Sequence, residues 1–265
     1  MAEIKDKVKN LFLVKKENLS GKKPSKDFDL VEMPLEGVVV YWLSLSKLFK
    51  KRGFLEQEIK STTEPYINYL LRLLSSNLSP NTCIELAKIK GETILEDLQK
   101  KLVLMSISVL GMSIKENPQK VMIRFISKFP ISSIYEQKIL SSAREVVDNL
   151  EKPDFPKEKF LNIDHRFLPE KLMLNLMVYN FLERRVEHTK LMDYLQYVRS
   201  FYFAEGVSLI VDGFDYDFVK HRLNLQKREI IYHTRAKMEV SGRLVAGLKT
   251  GLSYQDLSLI AQAYL

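Results

Sequence analysis

The chain has one cysteine, Cys83, in 265 residues. That excludes an internal disulfide framework and a cysteine-based zinc site. The opening Met-Ala-Glu-Ile-Lys carries no apolar segment of a secretory signal, so a reducing cytoplasm is the expected compartment. The longest uncharged run, 102–114, is well short of the roughly 20 residues that span a bilayer, and no transmembrane helix is expected. Ten glycines and nine prolines are few for this length and favour helix over sheet. There is no glycine-rich phosphate loop and no Gly-x-Ser-x-Gly elbow. The four histidines, His165, His188, His221 and His233, have no metal-binding spacing. His221 and His233 would lie about 18 Å apart along a helix. Asp212, Asp215 and Asp217 cluster in a turn but lack the ordered ligands of a calcium loop, and helix capping explains them better. No metal, cofactor, small-molecule substrate or catalytic residue is therefore expected.

What is present reads as helix. An apolar fraction of 46% with 28% charged residues is that of an ordinary globular protein. The net charge is +8, and most of the excess lies in the first 26 residues, where eight lysines face Glu3, Asp6 and Glu17. Such a tail can bind nucleic acid or anionic lipid, or simply be solvated. Val8–Val14 could form a short docking helix within it. Val38-Val39-Val40-Tyr41-Trp42 has strand propensity, yet Leu43, Leu45 and Leu48 continue it at helical spacing, so it starts a buried helix. Ser79-Pro80 opens a helix reaching about Met112, Asn117-Pro118 opens the next, and a further helix covers 131–150. Helices are also expected over 172–195, 197–211 and 216–247, the last capped by Asp215, with Ser253 capping a final one. The aromatic group Tyr194, Tyr197, Phe201, Tyr202 and Phe203 fits a helix-packing core.

The chain also resembles itself. Residues 117–129 align with 253–265, and the same offset places Gly111 on Gly247, Val109 on Val245 and Leu102 on Met238. With an offset about two smaller, Leu48-Phe49-Lys50-Lys51 falls on Leu182-Glu183-Arg184-Arg185. Residues 42–129 and 176–265 thus read as two copies of one unit. The expected architecture is all-α. A basic N-terminal tail (1–34) precedes a first helical repeat unit (35–150), a proline-bearing linker (151–168) and a second unit (169–265), with the two units packed together. Short basic groups recur at one place in both copies, Lys50-Lys51-Arg52 and Arg184-Arg185. Their recurrence points to a docking surface for an acidic partner.

The second copy resembles the cytoplasmic segment of MotA-type flagellar stator subunits, in the MotA/TolQ/ExbB superfamily. The resemblance rests on Leu182-Glu183-Arg184-Arg185, then Gly206-Val-Ser-Leu-Ile-Val211-Asp212-Gly213, then Asp217-Phe218-Val219-Lys220 ahead of a long helix. The first copy keeps the other half: Leu48-Phe49-Lys50-Lys51-Arg52-Gly53-Phe54-Leu55-Glu56-Gln57-Glu58. In that family a basic residue and a following Glu form the charged face that meets the rotor's switch protein. The resemblance places the basic positions at Lys51 and Arg185 and the acidic one at Glu58. In the second copy Met192 stands where the Glu would be, with Asp193 beside it. It implies a noncatalytic, cytoplasmic interaction or scaffold protein, peripheral to the membrane at a flagellar motor complex. That protein would bind an acidic rotor or stator component through Lys50, Lys51, Arg184 and Arg185. The alternative is a helical nucleic-acid-binding protein that uses the lysine-rich tail.

Overall fold

The computed structural model describes residues 28–48 and 53–265. The described residues form twelve helices and no strand. They are α1 (Leu35–Leu48), α2 (Phe54–Ser61), α3 (Pro65–Ser75), α4 (Pro80–Ser113), α5 (Pro118–Ile126), α6 (Ser133–Asn149), α7 (Lys157–Leu161), α8 (Pro169–Glu183), α9 (His188–Leu195), α10 (Phe201–Val211), α11 (Tyr216–Lys249) and α12 (Tyr254–Gln262). The all-α expectation holds. Among the described residues no helix is long and apolar enough to cross a membrane.

The helices start where short polar side chains satisfy free backbone N–H groups. Ser79 Oγ accepts from Thr82 N at 3.2 Å, and Asp215 Oδ1 accepts from Phe218 N at 2.8 Å. The Asn117 side chain accepts from Gln119 N, with Pro118 in the first turn, and Ser253 forms a capping box with Asp256. The helix expected over 172–195 breaks at 184–187. There Arg185 N and Val186 N turn back to Leu182 O, and Glu187 is extended.

The described chain divides into two compact units, one made of residues 28–94 with Tyr232–Leu265, the other of Leu95–Ile231. The divisions fall inside α4 and α11 rather than at 151–168. That segment, expected as a linker, contains α7 and buries Leu161, Ile163 and Asp164.

In the first unit, α3 buries Tyr66, Ile67, Leu70, Leu71, Leu73 and Leu74. Each such aliphatic side chain contributes about 1.5–3 kcal/mol on full burial. The Tyr66 hydroxyl lies 3.3 Å from Ala87 O and 3.0 Å from Met238 O, which joins α3 to the start of α4 and the end of α11. Small residues let those two helices meet: a Cβ built on Gly242 would sit 3.3 Å from the Ala87 Cβ. Lys249 Nζ donates to Leu73 O at 2.9 Å and Ser76 O at 2.5 Å, closing the open carbonyl end of α3. Helix α12 packs on α1, whose Val38, Val39, Trp42 and Leu45 are buried.

In the second unit, α8 is the central helix and touches α5, α6, α7 and α9. Leu172, Met173, Leu176, Met177, Val178, Tyr179 and Leu182 are all buried, and a helix apolar all round belongs in an interior. Its polar Asn180 is satisfied there, donating to Ser108 Oγ at 2.6 Å and Leu176 O at 2.9 Å. The Tyr202 hydroxyl donates to Leu223 O at 3.2 Å.

Helix lengths recur in order along the chain. The pairs α1/α8, α2/α9, α3/α10, α4/α11 and α5/α12 have 14 and 15, 8 and 8, 11 and 11, 34 and 34, and 9 and 9 residues. The last three pairs start and end at a constant offset of 136 residues, as in 80 to 216 and 113 to 249. Local contacts recur at the same offset. Both long helices end in a Schellman turn: Glu116 N bonds to Gly111 O and Lys115 N to Met112 O, while Leu252 N bonds to Gly247 O and Gly251 N to Leu248 O. The residue that must turn left-handed is Lys115 in one (φ 49°) and Gly251 in the other (φ 77°). A Cβ on Gly111 would meet Val121 at 2.8 Å, and one on Gly247 would meet Leu257 at 2.7 Å. Tyr66 and Tyr202 address Ala87 and Leu223, again 136 apart (87 to 223). Each compact unit thus takes its first helices from one series and its last from the other.

Candidate functional site

The expected site residues fall in several environments. Lys50 and Lys51 lie outside the described residues. Glu58, on α2 of the first unit, is only 6% exposed and accepts from the Tyr41 hydroxyl at 3.1 Å. Burial, then the Glu58 charge, pushes the Tyr41 hydroxyl above its ordinary range, so it remains a neutral donor. A carboxylate held this way serves the packing of α2 and has little surface to offer a partner.

Arg184 and Arg185 follow α8 in the second unit, and both are exposed. Arg184 caps α8, and its Nη1 donates to Lys115 O at 2.6 Å, at the left-handed residue closing α4. Arg185 Nη1 lies 2.5 Å from Asp148 Oδ1, with both side chains about half exposed. Preceding them, Glu183 is buried, with Lys115 Nζ 3.8 Å away. The structure therefore gathers Lys115, Asp148, Glu183, Arg184 and Arg185 into one charged cluster that joins the ends of α4, α6 and α8. Only the outer faces of the two arginines remain for a partner. An exposed pair such as Arg185–Asp148 is worth about 0–1 kcal/mol, so a stronger acidic partner could displace it. Lys115, Asp148 and Glu183 were not picked out in the sequence. The usable signal was a glutamate on the inward face of an otherwise apolar helix, directly before two arginines.

A second charged turn opens the second series. Asp164 is 4% exposed and accepts from Arg166 N at 2.9 Å, Nε at 3.0 Å and Nη2 at 2.7 Å. Burial alone would raise this carboxyl. The hydrogen bonds and charge of Arg166 outweigh it and hold the group below the usual carboxylate range. Asp29 makes the matching turn in the first unit, accepting from Val31 N at 3.0 Å. These aspartates shape turns and present no reactive group.

The aromatic group expected in the core divides. Tyr202 and Phe203 are buried, whereas Phe201 is 64% exposed. Other large apolar side chains are exposed in matched pairs: Leu78 with Phe214, Ile89 with Leu225, and Ile123 (58%) with Leu259 (65%). Single exposed apolar residues are ordinary. Three that recur at one offset are not accounted for by packing within either unit.

No family model, curated protein or solved structure matches this chain.

Proposed function

We propose that this chain is a noncatalytic interaction protein formed of two copies of one helical unit. On this reading it is related to the cytoplasmic segment of MotA-type stator subunits and works in the cytoplasm at a motor complex. The observation that carries the reading is the recurrence of exposed apolar side chains at a constant offset, above all Ile123 and Leu259 on the paired short helices α5 and α12. A duplicated protein that keeps the same apolar side chain outward twice has two like surfaces to offer a partner. The basic groups at Lys50, Lys51, Arg184 and Arg185 supply attraction toward an acidic partner and speed its approach.

The test is calorimetric titration of the full chain with the purified switch protein of a flagellar rotor. Ile123→Lys combined with Leu259→Lys is expected to weaken binding about tenfold or more, the two single changes less. Charge reversal at Lys50, Lys51 and Arg185 is expected to slow association and steepen its salt response. Arg184 is left intact because it also holds Lys115 O. Absence of binding, or binding that the double variant keeps in full, refutes the reading.

The second reading, nucleic-acid binding, rests on the eight lysines of the first 26 residues. Deleting 1–26 would abolish nucleic-acid binding and leave the rotor titration unchanged.

A further inference from the structure

A cleft of about 820 Å³ lies in the second unit, within the size range of small-ligand sites. Its walls include Lys157, Lys159 and Lys171 together with Phe155, Phe167 and Tyr197. Side chains of α8 fix it by pinning the short helix α7. Lys171 Nζ donates to Lys159 O at 2.6 Å, and Asn175, one turn further along, donates to Asn162 O at 2.7 Å. The Lys171 ammonium sits 4.9 Å from the centre of the Phe160 ring and 5.9 Å from that of Phe167. Phe155 stacks on Phe160 at 5.4 Å, so the aromatic wall is itself packed.

The charges here are unbalanced. Three lysines face the cleft and only one carboxylate, Glu158, lines it. Among the described residues no carboxylate makes an ion pair with any of the three. Partial burial and the neighbouring charge of Lys159 hold Lys171 below the ordinary lysine range. Cations that a fold brings together and leaves unpaired are stabilised by a bound anion. The aromatic side chains beside them offer a surface for an apolar or planar body.

We propose that this cleft binds an organic phosphate, with the phosphate taken by Lys157, Lys159 and Lys171 and the attached body lying against Phe155, Phe167 and Tyr197. The ligand is bound and not turned over, because no group beside the lysines is placed to act as base or nucleophile. The site is separate from the charged cluster at Arg184 and from Ile123 and Leu259, so its fate does not depend on the motor reading. The phosphate could be carried by a soluble nucleotide or by a lipid headgroup.

The test uses the full chain and two probes: ATP in calorimetric titration, and co-sedimentation with phosphatidylcholine vesicles with and without phosphatidylglycerol. The variant is Lys157→Glu with Lys159→Glu. Both side chains reach solvent, and the α7 backbone stays pinned by Lys171 and Asn175, so helix content by circular dichroism is expected to be unchanged. Binding of ATP that weakens about tenfold or more in the variant supports the site and makes its ligand soluble. Binding to anionic vesicles but not to ATP, lost in the variant, supports it with a headgroup as the source. The variant retains the basic N-terminal residues, so the difference reports on the cleft. Failure to bind either probe, or equal binding by wild type and variant, overturns the proposal.

Discussion

Gly111→Ala and Gly247→Ala introduce the same methyl group at paired positions, and the structure assigns them different costs. Each glycine is helical, so alanine gains about 1 kcal/mol of helix propensity. Against that stands the close approach of the following short helix. At Gly111 the new Cβ would lie 2.8 Å from Val121 Cγ2 and 3.0 Å from Asn180 Oδ1. Val121 is fully buried and stiff at χ1, and Asn180 is tied to Ser108 and Leu176. Neither can yield without moving α5 or breaking a buried hydrogen bond. Overpacking of this kind costs about 1–3 kcal/mol, and the upper part of that range applies. The net loss is about 1–2 kcal/mol, or a Tm lowered by about 2–8 °C for a chain of this size. At Gly247 the contacts are Leu257 Cδ2 at 2.7 Å and Leu252 Cδ1 at 3.1 Å. Both are ends of flexible side chains, and Leu252 is 40% exposed. There the two terms nearly cancel, leaving a change within about 1 kcal/mol. Urea unfolding followed by circular dichroism, together with thermal melts, measures both. If Gly111→Ala is as stable as wild type or more so, the packing of α5 against the end of α4 is not as described.

The two Schellman turns make a complementary prediction: Lys115→Gly relieves a left-handed lysine and is expected to stabilise by about 0.5–1 kcal/mol, while Gly251→Ala costs about 1 kcal/mol, both read by urea unfolding. Asp164 sets an acid response. Its carboxyl is depressed in the folded state, so its contribution is complete above the unfolded value of about 3.9 and is lost as pH falls below that. Asp164→Asn is therefore expected to lower Tm at pH 7, with the gap to wild type closing at pH values below about 4. An equal gap at both pH values would contradict the Asp164–Arg166 pairing.

The local grammar of this fold was open to reading from sequence. Ser79-Pro80, Asn117-Pro118, Asp215 and Ser253 mark helix starts because side-chain chemistry at a cap acts over three residues, and that range is visible in the chain. The offset of 136 was legible for the same reason, through Gly111 and Gly247 and their following polar starts. Partnership was not legible. Periodicity says that a helix has an apolar face, not which helix covers it, so nothing indicated that α4 and α11 each divide between two compact units. The break after Glu183 escaped because Arg184 leaves the helical path to reach Lys115 O, 69 residues away. Glu58 resembled a surface charge at its family position, but Tyr41, 17 residues earlier, holds it inside. The lysine cleft gave no motif, since its side chains come from α7, α8 and the segments flanking them.

The central claim is that each compact unit joins the first helices of one series to the last helices of the other. Oxidative crosslinking tests it most directly. Ala87 lies on α4 in the first series and Gly242 on α11 in the second, with a Cβ separation of 3.3 Å, near the short end of the disulfide range. Ala87→Cys with Gly242→Cys, in a Cys83→Ala background, should form an intramolecular disulfide under mild oxidation. The product would run as a faster monomer on a non-reducing gel, and the thiol count would fall to zero. Free thiols under those conditions, or crosslinking only between chains, would contradict the interleaved arrangement and the duplication inferred from it.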